Sequence, residues 1–269
     1  MNEGYLNWIK DFLSIVNKEG KLVDFIPNKI QEKFITQDIS GKDIVLKARQ
    51  QGFSSVILAM FTADFLMKEH TYNVVVADDE DNAKGLLKRV KDYVGFWCDK
   101  KGIKPSDILK YNSKYELYFE AMDSTYSIGT AKNTQFGRSR TITNLHLSEV
   151  AFYPHMGEIL AGALQAVVPT GRVILETTAN GFNEFKEYWD GSVRGETPFK
   201  THFYSADEFY SPEFLVQKQR ELGRLYKQEY PRNPLEAFIT SGETYFSSEA
   251  LERYLITVQQ PITEGLIYV

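Results

Sequence analysis

Residues 46–58, LKARQQGFSSVIL, run from an apolar, β-branched segment into a helical one through a tight turn with Gly52 near its end. The preceding run IVLKAR, Ile44 to Arg49, suits a buried strand, and from Ser54 to His70 apolar residues fall on most sides of a helix. A strand entering a helix this way gathers unpaired N–H groups and the positive end of a helix dipole at one point, where an anion such as phosphate binds. The usual lysine after the glycine of such a loop is replaced by Phe53. Ser54 and Ser55 stand where a hydroxyl would ligate magnesium, and Lys47 or Arg49 places the cation ahead of the turn.

The same alternation continues outward. YNVVVADD, Tyr72 to Asp79, is a second buried-strand pattern, followed by a polar, lysine-studded helix from Glu80 to Lys100. KYELYFEAM and STYSIGTA flank Asp123-Ser124 and read as a hairpin inserted between crossovers. TITNLHLSE, Thr141 to Glu149, and GRVILETTA, Gly171 to Ala179, complete the core strands, with a helix near Pro154 to Val167 between them. Strands separated by helices at this spacing form a parallel sheet with crossover connections. From about Ser205 amphipathic helices such as PEFLVQKQREL take over, so residues 1–204 are expected to form the core and 205–269 a small helical subdomain.

At 269 residues with 43% hydrophobic and 25% charged residues, the chain can bury a substantial core. It carries no apolar run long enough to span a membrane, and its opening MNEGYLNWIKDF lacks the basic start and apolar centre of a signal peptide. A single cysteine, Cys98, rules out internal disulfides, and His70, His146, His155 and His202 have no metal-ligand spacing. The net charge of -5 argues against a general nucleic-acid coat but leaves room for a local basic track. The acidic run Asp78, Asp79, Glu80 and Asp81 reads as a strand end and helix start favoured by the dipole, not as a metal cluster.

Two further strand ends carry polar residues. In TNLHLSEVAFYP, Ser148-Glu149 closes an apolar run, which places a carboxylate beside the phosphate loop of a parallel sheet. In a nucleotide hydrolase that carboxylate activates water, while a neighbouring acidic group holds the magnesium hydration shell; here Ser148 stands where that aspartate is expected. In LETTANGFNEFKEYW, residues Thr177, Thr178, Asn180 and Gly181 follow the last apolar strand, placed to sense a γ-phosphate.

With KARQQGFSS, NLHLSEVAFYP, ETTANGFNEF, YPRNPLEAFITSGETYF and the upstream IPNKIQEKFI, the sequence resembles the ATPase domain of a tailed-phage terminase large subunit from Pro27 to Phe246. In that family the phosphate loop typically carries Arg-Gln-x-Gly, and some members lack the usual lysine. The resemblance implies a doubly wound, mostly parallel P-loop NTPase sheet of RecA/ASCE type with a helical lid. It also implies ATP and Mg2+ as cofactors and ATP-driven translocation of double-stranded DNA into a procapsid. The implied partners are the portal protein, the terminase small subunit and further copies of the chain in a homo-oligomeric ring, in the host cytoplasm.

Carried over by residue, Gln31 would meet the adenine, and Arg49, Gln50, Gln51, Gly52, Phe53, Ser54 and Ser55 would cradle the phosphates, with Lys47 as the other candidate cation. Ser54 would ligate Mg2+, Glu149 would be the catalytic carboxylate, and Thr177, Thr178, Ala179, Asn180 and Gly181 would couple hydrolysis to movement. Arg138, with Arg140 as the fallback, would be an arginine finger; it precedes the Glu149 strand and so would serve a neighbouring subunit. Lys100, Lys101 and Lys104, after a helix bearing Lys84, Lys88 and Lys91, read either as a DNA-facing group or as a solvated face. The family also carries a C-terminal nuclease, and GLIYV falls where that domain would begin, so the chain is expected to be the motor domain alone. A helicase-like remodelling ATPase and a nucleotide-binding scaffold without catalysis are the competing readings.

Overall fold

In the computed structural model, which describes residues 2–17, 19–132 and 140–238 together with 253, 254 and 257, strands and helices alternate through most of the chain. Helix α1 (Asn2–Phe12) and a small antiparallel pair, β1 (Ser14–Val16) and β2 (Leu22–Asp24), lead into α2 (Lys29–Lys33). Then come β3 (Lys42–Lys47), α3 (Phe53–Met67), β4 (Tyr72–Ala77) and α4 (Glu80–Lys101). The short α5 (Pro105–Ile108) precedes β5 (Leu109–Asn112), β6 (Glu116–Phe119) and β7 (Ser124–Thr130). The core closes with β8 (Ile142–Ser148), α6 (Met156–Ala166), β9 (Val167–Thr177), α7 (Glu184–Val193) and β10 (Lys200–Tyr204). Three helices follow: α8 (Pro212–Leu222), α9 (Tyr226–Glu229) and α10 (Pro234–Phe238).

The main sheet has eight strands in the order β10-β3-β9-β8-β4-β7-β6-β5. Every pairing from β10 to β7 is parallel, and β6 and β5 are added antiparallel at one edge. The expected hairpin is therefore β6-β7, turning at Asp123 with φ +45°, and β7 rejoins the parallel set beside β4. The β3-α3-β4 crossover passes over β9 and β8, which brings the carboxyl ends of β3, β9 and β8 together under the start of α3. The opposite edge, β10, lies outside the strands expected from the sequence. Its five residues, KTHFY, pair with β3 only.

Alternation along each strand sorts the core into two layers. Ile44 and Leu46 of β3, Leu145 and Leu147 of β8, and Val173 and Leu175 of β9 face α6 and α7. Val45, Val75 and Ile174 face α1, α3 and α4. With helices on both faces the sheet is doubly wound. Thirteen of the fifteen residues of α3 are buried, as expected of a helix apolar on most sides and roofed by α1 and α4. At the far end of α3, Asp64 is buried and accepts from Tyr5, Asn144 and Arg172 while pairing with Lys68, so α1, α3, β8 and β9 are tied at one polar knot.

The acidic run after β4 acts as a helix start. Asp79 caps α4 by accepting the Asn82 N–H at 2.8 Å, and Asp78 accepts the Asn82 side-chain amide. The packing of α3 is testable through Phe65, fully buried and edge-on to Phe119 and Tyr126 at centroid distances of 6.4 and 6.1 Å. Phe65→Ala is expected to lower unfolding stability by about 3–5 kcal/mol, measured by urea denaturation.

Candidate functional site

The turn between β3 and α3 is held from three sides. Gly52 is the N-cap of α3 at φ +77°, a conformation that favours glycine, and a Cβ there would lie 2.5 Å from Gln31 Nε2 and push that amide aside. Gly52 brings no side chain to cap the helix, which leaves the first N–H groups of α3 facing the turn. Gln50 is also left-handed, at φ +58°. Phe53 explains the departure from the usual loop: its ring is fully buried 4.6 Å from Tyr204 and 5.6 Å from Phe34, anchoring the loop to β10 instead of carrying charge.

Gln31 is expected at an adenine. Here it shapes the loop: Nε2 donates to the carbonyls of Gln51 (3.1 Å) and Gly52 (2.9 Å), and Oε1 accepts from the Asn28 N–H in a capping box. Gln51 is buried and donates to the Ser205 carbonyl. The two serines part company. Ser54 Oγ donates to Glu176 Oε1 at 2.7 Å, whereas Ser55 Oγ accepts from Arg89 of α4.

The two candidate cations are also separated. Lys47, at the end of β3, alternates with Val45 and so points to the α3 side, where it is 5% exposed. Its ammonium lies 3.1 Å from Glu149 Oε1 and 3.1 Å from Glu176 Oε2, the second as an ion pair without a well-aligned hydrogen bond. Burial pulls the Lys47 pKa down, but the charges of Glu176 and Glu149 outweigh it and hold the pKa above the usual value. Arg49 is more than half exposed and turns to the C-terminal helices: its guanidinium meets Glu229 at 2.8 Å, its N–H donates to the Glu229 carbonyl, and its carbonyl accepts from Tyr210.

Glu149 follows β8 in a left-handed conformation, φ +57°, a costly backbone state for a residue with a Cβ and one that concentrates at functional sites. Its N–H donates to the Glu176 carbonyl at 2.7 Å, and its Oε2 accepts from the Thr178 N–H at 3.3 Å and lies 3.4 Å from Thr177 Oγ1. The Thr177–Gly181 segment thus touches the carboxylate directly. At its far side the Ala179 carbonyl accepts from Gln228 of α9 at 3.1 Å, and Asn180 donates to the Ala151 carbonyl.

Glu176 is the site residue absent from the sequence reading. It is fully buried on β9, paired in register with Ser148, whose hydroxyl donates to it at 2.6 Å. Burial pushes its pKa up, yet Lys47, His146 and the Ser148 hydroxyl together hold it well below the usual carboxylate range. The signal was present: Glu176 interrupts the apolar run VILET, and a charge inside a buried strand needs a partner.

The remaining candidates lie elsewhere. Arg138 falls outside the described residues. Arg140, just ahead of β8, pairs with Glu116 at 2.8 Å and stacks over Tyr72. Lys100, Lys101 and Lys104 are exposed at the carboxyl end of α4, the pole away from the loop, with Lys101 over the Phe12 and Trp97 rings. On α4 itself, Lys84 and Lys88 pair with Glu80 and Asp92, and Lys91 donates to the Ser113 carbonyl.

A parallel, doubly wound sheet with an uncapped glycine turn, a buried lysine and a strand-end glutamate at adjacent carboxyl ends is a P-loop NTPase-like architecture. No family model matches the chain. Among solved structures it is similar to the large terminase ATPase domain of Thermus phage P74-26, with TM-score 0.60 and 15% identity over 78% of this chain and 94% of that one. It is similar to the bacteriophage HK97 large terminase, with TM-score 0.61 and 16% identity over 94% of this chain and 52% of that one. The large terminase of a thermophilic bacteriophage, solved in complex with ADP, gives TM-score 0.59 and 14% identity over 76% of this chain and 52% of that one. The chain has the fold of phage large terminase ATPase domains, and it spans about half the length of the HK97 chain and of the ADP-bound thermophilic-phage chain.

The ion cluster makes a prediction of its own. Glu176 is depressed below its ordinary value of 4.5, so its stabilising contribution is present above that pH and is lost as pH falls toward its folded-state value. Lys47→Met, which keeps bulk and removes charge, is expected to cost about 3–5 kcal/mol at neutral pH by leaving a buried carboxylate unpaired. The penalty should shrink on acidification as that carboxylate protonates, read by denaturant unfolding across pH.

Proposed function

We propose that the chain is the ATP-hydrolysing motor domain of a terminase-type DNA packaging enzyme. The observation that carries this is the meeting of Lys47, Glu149 and the open α3 N-terminus at adjacent strand ends, in a fold shared with the thermophilic-phage large terminase that holds ADP. The α3 N–H groups and Lys47 bind the nucleotide phosphates; Arg49 ties the loop to α9. Ser54 Oγ, an oxygen donor already hydrogen-bonded to a carboxylate, fits a hard cation such as Mg2+. Bound there with the nucleotide, that ion would neutralise charge on the phosphates.

When Lys47 turns to the phosphates it releases one oxygen of Glu149, which then accepts a proton from the attacking water. Thr177 and Thr178 hold the other oxygen, so a change in the charge of Glu149 is felt by the segment that reaches Gln228. The domain boundary near residue 204 fits this division: the aromatic cluster of Tyr210, Tyr226 and Tyr230 around Ala48 acts as a lid over the loop.

The wider reading follows from the same family. The motor moves double-stranded DNA into a procapsid, docked on a portal protein in a homo-oligomeric ring, with a small-subunit partner, in the host cytoplasm. Arg138, with Arg140 as the alternative, serves the nucleotide of the neighbouring copy. In support, Arg140 precedes a seven-residue strand, about 23 Å long at the rise of a β-strand, that ends beside Glu149. Among the described residues no helix is long and apolar enough to cross a membrane.

Glu149→Gln is expected to bind ATP and lose turnover by about 100-fold or more, the scale of a general base. Retained hydrolysis in a steady-state assay would remove Glu149 from this role, and wild-type chain without hydrolysis in any assembled state would favour a nucleotide-binding scaffold. Lys100, Lys101 and Lys104 are proposed to meet DNA phosphates. Replacing all three by Gln should flatten the salt dependence of DNA binding by up to about three units of slope, and an unchanged slope would return them to a solvated face.

A further inference from the structure

The nucleotide site has a gap in its sequence pattern, because Ser148 stands where a second carboxylate is expected beside Glu149. The sheet fills that gap from the next strand. Ser148 and Glu176 are register partners on β8 and β9, and both point to the α3 side. Glu176 Oε1 receives Ser148 Oγ at 2.6 Å and Ser54 Oγ at 2.7 Å, so one carboxylate oxygen holds the hydroxyl at the start of α3. We propose that Glu176 takes over from β9 the work of the absent aspartate on β8. It is the positioning carboxylate that orients Ser54 as an oxygen ligand and supplies negative charge beside the magnesium ion that accompanies the nucleotide. Ser148 positions Glu176 in turn.

Three features support this assignment. A carboxylate with no exposed surface is costly unless it is paired, and this one is paired to a lysine and two hydroxyls at the mouth of the loop. Its other buried neighbour, His146 Nε2, lies 3.4 Å from Oε1 and has no well-aligned hydrogen bond among the described residues, so Glu176 is the group around which the buried polar atoms gather. One ammonium against two carboxylates also leaves excess negative charge at the site. Bare polyphosphate is repelled by that excess, whereas a divalent cation arriving with the nucleotide reverses it.

The inference rests on the nucleotide-binding reading, and the test separates the two. Binding of ATP-gamma-S to the full chain is measured with Mg2+ and with EDTA in wild type, Glu176→Gln and the swap variant Ser148→Asp/Glu176→Ser. Wild type is expected to bind more tightly with Mg2+. Glu176→Gln should lose that advantage by about 10- to 100-fold, the usual cost of removing a group that orients a metal ligand. The swap variant, which keeps a carboxylate for Lys47 and so guards against simple misfolding, should regain most of it. A full magnesium advantage in Glu176→Gln, or a folded swap variant that does not regain it, overturns the assignment. Wild type that binds no nucleotide in either condition overturns the nucleotide reading itself.

Discussion

The structure is organised around one ion cluster, buried Lys47 held between the buried Glu176 and the partly exposed Glu149. Charges removed from water are costly, and the cost is met here only because two carboxylates and two hydroxyls converge on adjacent strand ends. That convergence requires the strand order. With β9 between β3 and β8, three consecutive neighbours deliver Lys47, Glu176 and Ser148-Glu149 to adjacent carboxyl ends, Ser148 level with Glu176 and Lys47 two residues beyond it. The α3 helix roofs the cluster with its N-terminus, and Phe53 and Gln31 fix where that roof begins.

The different surroundings of Lys47 and Arg49 follow from strand alternation. Residue 47 continues the pattern of Val45 into the α3 layer, while residue 49 lies past the last β3 pair and is free to reach the C-terminal helices. The sequence placed both ahead of the turn and favoured Arg49 as the cation that meets phosphate, with Lys47 as the alternative. Position alone does not reveal the neighbour on the next strand, and that neighbour is what separates them.

The parallel sheet with helical crossovers was legible because β3 and β4 carry the apolar runs IVL and VVVA, β9 carries VIL, and β8 alternates apolar residues. β10 was not, since a short edge strand such as KTHFY needs no long apolar pattern. Glu149 was legible because it ends its strand; Glu176 sits one residue inside its strand, and its partners come from residues 47, 54 and 148, far off in the chain. Gln31 has a loop-shaping contact that resemblance alone does not supply. Its amide is engaged by the Gln51 and Gly52 carbonyls and the Asn28 N–H, an assignment that only coordinates supply.

Two adjacent residues of α9 hold two separate parts of the site, the β3-α3 loop and the segment after β9. Gln228 grips the Ala179 carbonyl beyond the threonine pair, and Glu229 grips Arg49 through backbone and side chain. Hydrogen bonds weaken steeply beyond a few tenths of an ångström, so one short helical turn cannot follow both if they shift differently. It would have to tilt, and a tilt there would reach α8 through the cluster of Tyr210, Leu215, Tyr226 and Tyr230, so the outer helices would respond to a difference between the two strand ends.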